Sequence, residues 1–412
     1  MKKVFATLDF KKNRNDFPML ATTMHGRPLL YLDSAATSLK PQVVIDTMTD
    51  FYQNTYGTVH RAVYQLSARA TERYNAVRSK VRQFLNALRD EEIVFTRGTT
   101  DAINLVASSF GKICVESGDE VLITEMEHHS NIVPWQLLCK ERGAVLKVVP
   151  INDSGEIVLE EYRKALSKKT KIVAISHVSN VLGTVNPVKE MIVDAHSVGA
   201  KVLVDGAQSV PHLCVDVQDL DADFYVFSSH KVYGPTGAGV LYGKYHLLEM
   251  MPPYQGGGDM IETVTFEQTT YADVPVKFEA GTPMIAEILG MGAAIDYFMK
   301  MDSHALYMHE QHLLAKATDL LLQIPSLRII GSSKEKSGVL SFVVDGVHPL
   351  DLGMMLDLKG IAVRTGHHCA QPVMQHFHLP ATVRLSFALY NTEEEILRFF
   401  EALQESLFLL NK

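Results

Sequence analysis

The chain has 412 residues, 47% of them hydrophobic and 21% charged, with a formal net charge of −8. This is the composition of a folded globular protein with room for more than one domain, and its acidic balance argues against a nucleic-acid surface. The four cysteines, Cys114, Cys139, Cys214 and Cys369, have no CxxC spacing, which argues against a zinc ribbon or a disulfide framework and suits a reducing compartment.

In chain order, residues 1–30 read as a lead-in helix and loop. Met1 to Asp16 carries lysines but no apolar h-region, so no secretion signal is expected. No apolar run reaches membrane-spanning length, and the expected location is the cytoplasm. Tyr31-Leu32-Asp33-Ser34-Ala35-Ala36 is a short extended piece, and a helix opens near Pro41 and runs to about Gln53. The loop from Tyr56 to Arg61 carries His60 and Arg61, two polar side chains able to reach a pocket. A helix from Ser67 to Asn86 places Ala70, Tyr74, Val77, Val81, Phe84 and Leu85 on one face.

From Glu92 the pattern becomes strand, turn, helix, repeated. Ile93-Val94-Phe95 is a strand, Arg97-Gly98-Thr99-Thr100-Asp101 a turn, and Ala102 to Phe110 a helix. A Gly-Thr-Thr turn before a helix offers N–H groups, hydroxyls and a positive dipole end, which suits a phosphate, although any capped helix looks similar. Further strands end in Glu125–Asn131, Ser176–Asn180 and Asp205–Gln208. Near-continuously apolar strands alternating with helices imply a largely parallel sheet covered on both faces. The residues just past the strand ends, Thr100, His128, Asn180, Asp205, Gln208, His230 and Lys231, then share one sheet edge, where ligands of open α/β sheets bind. Asp205 ends a Val-Leu-Val strand, so a buried carboxylate there needs a cationic partner or a donor.

Lys231 follows the apolar run Asp223–Phe227 and precedes Gly234, Gly237 and Gly239. A lysine desolvated at a strand end can lose its charge and attack a carbonyl. Pyridoxal phosphate is the carbonyl cofactor held through such a lysine, while in this stretch alone a surface-loop lysine would look the same. Beyond about residue 285 the chain turns to helices and short alternating strands, an α+β unit with Arg364–Ala370 and Arg384-Leu385-Ser386. His367, His368, Cys369, His376 and His378 have the residue types of a metal cluster, but adjacent histidines point apart on a strand and the spacing is not that of a zinc site, so no metal is expected.

Taken in order, Tyr31–Ala36, Arg97–Asn104, Met126–Trp135, His177–Thr184, Val204–Gln208, Ser228–Gly237, Phe278–Pro283, Arg364–Pro372 and Tyr390–Thr392 resemble the pyridoxal-phosphate cysteine desulfurases of the class V aminotransferase fold. The SufS-type (group II) branch, which includes selenocysteine lyases, is the nearest in pattern. The resemblance implies an aspartate aminotransferase-like α/β fold (fold type I): a large cofactor-binding domain over residues 31–284 with a mainly parallel seven-stranded sheet, and a small α+β domain over 285–412 carrying the cysteine loop. Residues 1–30 would pack on the small domain. It implies that Lys231 holds the cofactor as a Schiff base, Asp205 pairs with its ring nitrogen, Gln208 contacts the ring hydroxyl and His128 stacks on the ring. Thr99, Thr100, Ser228 and His230 would hold the phosphate, with Thr282 arriving from a second subunit of a homodimer. Asn180, Arg364 and Arg384 would bind the substrate carboxylate, His60 and Arg61 would lie at the shared mouth, and Cys369 would accept the sulfur. The implied reaction turns L-cysteine into alanine and an enzyme persulfide, passed to a sulfur-acceptor protein of the SUF type for iron–sulfur cluster assembly. A selenocysteine lyase, another class V enzyme and a non-catalytic sulfur-transfer scaffold are the alternatives.

The chain also departs from the family pattern. Ala62 and Tyr64 stand where Gly and His are usual, Met284-Ile285-Ala286 replaces Asn-Thr-Gly, and Ser229 stands where glycine is frequent. The bare sequence adds one argument for Cys369. The other three cysteines read as buried in apolar surroundings, whereas Cys369 lies in a polar loop beside His367, His368 and Arg364, where positive charge favours a thiolate.

Overall fold

The computed structural model describes residues 10–60 and 62–410. Its central seven-stranded sheet has the order Ile93–Thr96, Gly239–Gly243, Phe224–Ser228, Lys201–Asp205, Thr170–Ser176, Glu120–Thr124, Val145–Val149. Gly239–Gly243 runs antiparallel to both neighbours, and the other pairs are parallel. Successive side chains of a strand point to opposite faces. Tyr225 and Phe227 accordingly join one hydrophobic core, and Phe224 and Val226 the other. Both faces are covered, which is why these strands read as unbroken apolar runs rather than as alternation. Among the described residues, no helix is long and apolar enough to cross a membrane.

A second sheet of four antiparallel strands has the order Leu327–Ile330, Val339–Val344, Thr382–Ser386, Arg364–Gly366. Its core is shared with helices Ser303–Leu321, Pro349–Asp357 and Glu393–Leu410. Leu30–Tyr31 pairs in parallel with Ile361–Ala362, and Asp33 bridges to Ser386, so the start of the chain is stitched to its end. Helix Ile285–Met299 packs against helices Gln42–Asp50 and Gln65–Leu85, in the core of the large sheet. That core therefore continues past residue 284. The helix is apolar almost all round, as a helix buried on every side must be.

The parallel strands end together at Thr96, Thr124, Ser176, Asp205 and Ser228, and the loops beyond them form the edge on which the site is built. One close approach shapes that edge. A Cβ on Gly239 would lie 2.4 Å from Gly98 Cα, so only glycine lets the two backbones meet. Gly98 itself has φ +152°. The helix after it starts at Thr99, three residues before the expected Ala102, and from its first turn Asp101 Oδ2 reaches back to accept the Arg97 N–H at 3.0 Å, ahead of the helix.

Glu279 ties the segment after the large sheet back to strand Ile93–Thr96. Arg78 donates to its two carboxylate oxygens at 2.8 and 2.9 Å, and the Phe95 N–H donates to Oε1 at 2.8 Å. Both charged side chains are 9% exposed, and the guanidinium lies 4.3 Å from the Phe95 ring centroid. Removing one member of such a pair leaves the other charge buried without compensation, at a cost of about 3–5 kcal/mol. Glu279→Ala is expected to lower the unfolding free energy in urea by that amount, and Arg78→Met with Glu279→Leu by much less. A single-variant loss below about 1 kcal/mol, the range of exposed pairs, would show that the bridge does not hold this segment.

Candidate active site

At the sheet edge lies a cavity of about 180 Å³. It is lined by Thr99, Thr100, His128, Asn180, Asp205, Gln208, Ser228, His230 and Lys231 from the loops of the large sheet, and by Arg364 and Arg384 from the second sheet. Residues scattered over almost 300 positions therefore meet because parallel strands end together and because one edge of the antiparallel sheet is presented to them.

Lys231 closes a single 3-10 turn directly after strand Phe224–Ser228. The turn is fixed through one carbonyl: His230 O accepts from the Ser38 N–H at 3.0 Å and from Lys40 Nζ at 2.8 Å. Burial lowers the Lys231 pKa to about 8; Asp205 works against that shift, while Arg384 and Arg364 add to it. Burial likewise raises the Asp205 carboxyl, against the pull of the Ala207 N–H at 2.9 Å and of Lys231. Burial and the charge of Lys231 push the imidazole of His128 down to about 3 and that of His230 to about 4. Both rings are neutral at physiological pH. His128 Nδ1 accepts the Ser130 N–H at 3.0 Å, so its proton sits on Nε2. The cations facing the cavity are thus Lys231, Arg364 and Arg384, a set suited to an anionic ligand.

Ser228 Oγ accepts the Thr99 N–H and pairs with Thr99 Oγ1, both at 2.8 Å, and Thr100 Oγ1 pairs with Ser130 Oγ at 2.7 Å. These hydroxyls surround the N-terminus of helix Thr99–Ser108, whose dipole favours a phosphate. Gln208 Nε2 donates to Ala35 O at 2.7 Å, while its Oε1 and His230 Nδ1 are buried without a hydrogen-bond partner. Buried polar atoms are rarely left so, and on two cavity-lining residues they fit a polar ligand. Arg384 is 2% exposed, donates to Asn180 O and to Asp33 Oδ1 at 2.9 Å each, and has a partnerless buried Nε.

Cys369 does not line the cavity, but its loop is pinned to the rim. His129 N–H donates to Cys369 O at 2.8 Å, Gln371 N–H to His129 Nε2 at 3.1 Å, and Asn180 Nδ2 to His368 O at 2.7 Å. His368 and Cys369 have φ +52° and +57°, a left-handed pair rare outside glycine. His367 and His368 do point apart, but through this turn rather than on a strand. His368 is buried on Thr382 Oγ1 at 2.8 Å, and His367 is exposed. Burial raises Cys114 to about 12 and Cys139 to about 11, as expected of inert thiols. Cys214, expected to be buried, is instead exposed, because its apolar neighbour Val215 turns inward while the cysteine faces out. Cys114 is half-buried, like Cys369, so elimination by burial alone would leave three cysteines, and it is the cavity rim that distinguishes Cys369.

Two expected residues stand apart from the cavity of this single chain. His60 is exposed, with its ring edge-on to Tyr74 at 5.7 Å. Thr282 is exposed in a neighbouring cavity of about 80 Å³ with Arg97 and Asp101. Arg61 lies outside the described residues. The sequence reading assigned no role to Asp33, Ser130 or Lys40. Asp33 carried the one available signal, a carboxylate inside the Tyr31–Ala36 segment. Glu127, fully buried beside His128, was also passed over; burial pushes its carboxyl up to about 7 against hydroxyl and amide donors.

The aminotransferase class-V family model matches residues 30–399. A cysteine desulfurase of Synechococcus elongatus is 55% identical over 388 residues, which are 94% of this chain and 62% of that protein. One of Dickeya dadantii is 52% identical over 391 residues, 95% of each chain. Some relatives are thus considerably longer than this chain. Among solved structures, a cysteine desulfurase from Escherichia coli superposes with a TM-score of 0.92 at 39% identity, covering 98% of this chain and 100% of that one. A cysteine desulfurase from Thermococcus onnurineus gives 0.93 at 37%, covering 98% and 99%. With a family model matched from residue 30 to residue 399 and relatives about half identical over nearly all of its length, the protein belongs to the aminotransferase class-V family.

Proposed function

We propose that the chain is a pyridoxal-phosphate-dependent cysteine desulfurase, converting L-cysteine to L-alanine and leaving the sulfur as a persulfide on Cys369. The observation that carries the reading is one juxtaposition. Lys231, Asp205 and Arg384 line a single cavity, and the Cys369 loop is bonded to its rim through Asn180 and His129. The cysteine desulfurases at 50–55% identity support the same activity.

The residues present fit the cofactor. Lys231 would hold it covalently, Asp205 would face its ring nitrogen, His128 would lie on the ring, and Gln208 would meet the ring hydroxyl with its partnerless Oε1. Thr99, Thr100, Ser228 and His230 would hold the phosphate. When bound, pyridoxal phosphate supplies an electron sink for charge developing at the substrate Cα. Arg384, with Asn180 and Arg364, would orient the substrate carboxylate, Arg384 being held in place by Asp33. Lys231 Nζ, partly uncharged near neutrality, would take the Cα proton. Cys369 Sγ would attack the substrate sulfur: the S–S bond forms, the carbon–sulfur bond breaks, its electron pair goes to carbon, and protonation gives alanine.

In this reading residues 31–284 carry the cofactor, 285–412 the cysteine loop, and residues 12–30 pack on the second unit, residues 1–9 lying outside the described residues. The working form is a cytoplasmic homodimer in which His60, Arg61 and Thr282 complete the partner's site. The persulfide passes to a SUF-type acceptor for iron–sulfur cluster assembly. Mixing Lys231→Ala with Thr282→Val subunits is expected to restore activity in hybrid dimers; a fully active monomer in sedimentation would overturn the dimer.

An amine with a pKa of about 8 is about one-tenth neutral at pH 7 and half neutral at pH 8. Covalent capture of pyridoxal phosphate by the apo-protein, followed by absorbance, should therefore quicken about fivefold from pH 7 to 8 and less than about twofold from 8 to 9. An ordinary lysine would give about tenfold at each step, and that result would remove Lys231 from the role. Cys369→Ala should keep the cofactor and cysteine binding but lose acceptor loading. Mass spectrometry after cysteine treatment should find the added sulfur on Cys369; finding it on Cys214 would overturn the assignment.

A further inference from the structure

Glu127 is 0% exposed and sits between two strand ends of the large sheet. Its Oε1 accepts from Thr124 Oγ1 at 2.6 Å and from the Ser176 N–H at 3.0 Å; its Oε2 accepts from Ser176 Oγ at 2.5 Å and Asn131 Nδ2 at 2.7 Å. Asn131 Oδ1 in turn accepts from Trp135 Nε1 at 2.9 Å. The Ser176 N–H and the Asn131 NH₂ can only donate, so each carboxylate oxygen is committed to at least one donor. Between the two ends of this clamp run residues 128–130, and each of them touches a different part of the site. His128 lines the cavity, Ser130 meets Thr100, and the His129 backbone and ring hold Cys369 O and Gln371 N–H.

We infer that Glu127 is a positioning residue that sets the cavity face of His128 and the Cys369 loop together, through the short segment its carboxylate clamps. The inference rests on the cysteine desulfurase reading for its effect on turnover, but not for its effect on geometry. Glu127 touches neither cavity nor cysteine, so it acts through this segment and through Ser176, which also lines the cavity. Glu127→Gln presents an amide NH₂ to donors and must break at least one of the contacts. The segment then shifts, and displacements of this kind cost up to about 100-fold in rate.

The experiment uses the full chain loaded with pyridoxal phosphate. In Glu127→Gln the visible circular-dichroism band of the bound cofactor should change, reporting His128, and Cys369 alkylation by iodoacetamide should change at least threefold, reporting the loop. Both are read without turnover. Alanine release from cysteine should fall by about 10–100-fold. Thr124→Val, which removes one donor and keeps the shape, should move both signals the same way by less, and it decides the matter where Glu127→Gln does not fold. Wild-type circular dichroism and alkylation in the folded variants, with only a lowered unfolding midpoint, would make Glu127 merely structural and overturn the inference. A wild-type protein that releases no alanine from cysteine would instead sink the desulfurase reading and leave the two geometric signals standing.

Discussion

A lysine buried at the end of an apolar strand is the constraint on which the rest of this site depends. Burial takes the ammonium of Lys231 out of water and lowers its pKa to about 8. Alone, that cation would be a liability to the fold. Asp205 offsets it from the end of the neighbouring strand, itself raised by burial, so the two groups share one desolvated region. Neither arginine can substitute for Lys231, since a guanidinium keeps its proton and cannot act as a nucleophile or base near neutrality. Neutral His128 and His230 follow first from burial of their own rings, and repulsion from Lys231 adds to it.

The second sheet supplies the other half of the site through few contacts. Arg384 crosses from strand Thr382–Ser386 to Asn180 and Asp33, and Asn180 returns a bond to the Cys369 loop at His368 O. Asp33 itself forms the bridge to Ser386 that joins the N-terminal segment to the second sheet. The guanidinium, the carboxylate that holds it and the cysteine loop thus form one bonded group. A displacement of the second sheet would move all three together.

How far the sequence could be read depended on range. The parallel strands were legible because burial on both faces writes continuous apolar runs, and Asp205 was legible because a carboxylate ending such a run needs a reason. The helix start at Thr99 was misread because Asp101 looks like a turn residue, whereas it sits in the first helical turn with its carboxylate accepting the Arg97 N–H. Helix Ile285–Met299 was assigned to the second unit because the change of pattern at 285 is real, but its surroundings are set by helices some 200–250 residues earlier. Asp33 and Lys40 were missed for the same reason: their partners, Arg384 and His230 O, lie 351 and 190 positions away. Cys214 was misread because one apolar neighbour says nothing about which way a turn faces.

The Cys369 loop shows how such long-range contacts act on chemistry. Two successive non-glycine residues at positive φ are locally unfavourable, at about 1–3 kcal/mol each, and persist only where the surroundings impose them. Here the surroundings are identifiable: Thr382 takes the His368 ring, Asn180 takes its carbonyl, and His129 takes the carbonyl of Cys369 and the N–H of Gln371. The cysteine is therefore held at the rim from three directions rather than carried on a long arm. In the proposed reaction, a sulfur held on so short and so firmly tethered a loop has little reach of its own. Any group that is to receive it must come to the rim, which makes access to Cys369, as much as the chemistry inside the cavity, part of what this structure controls.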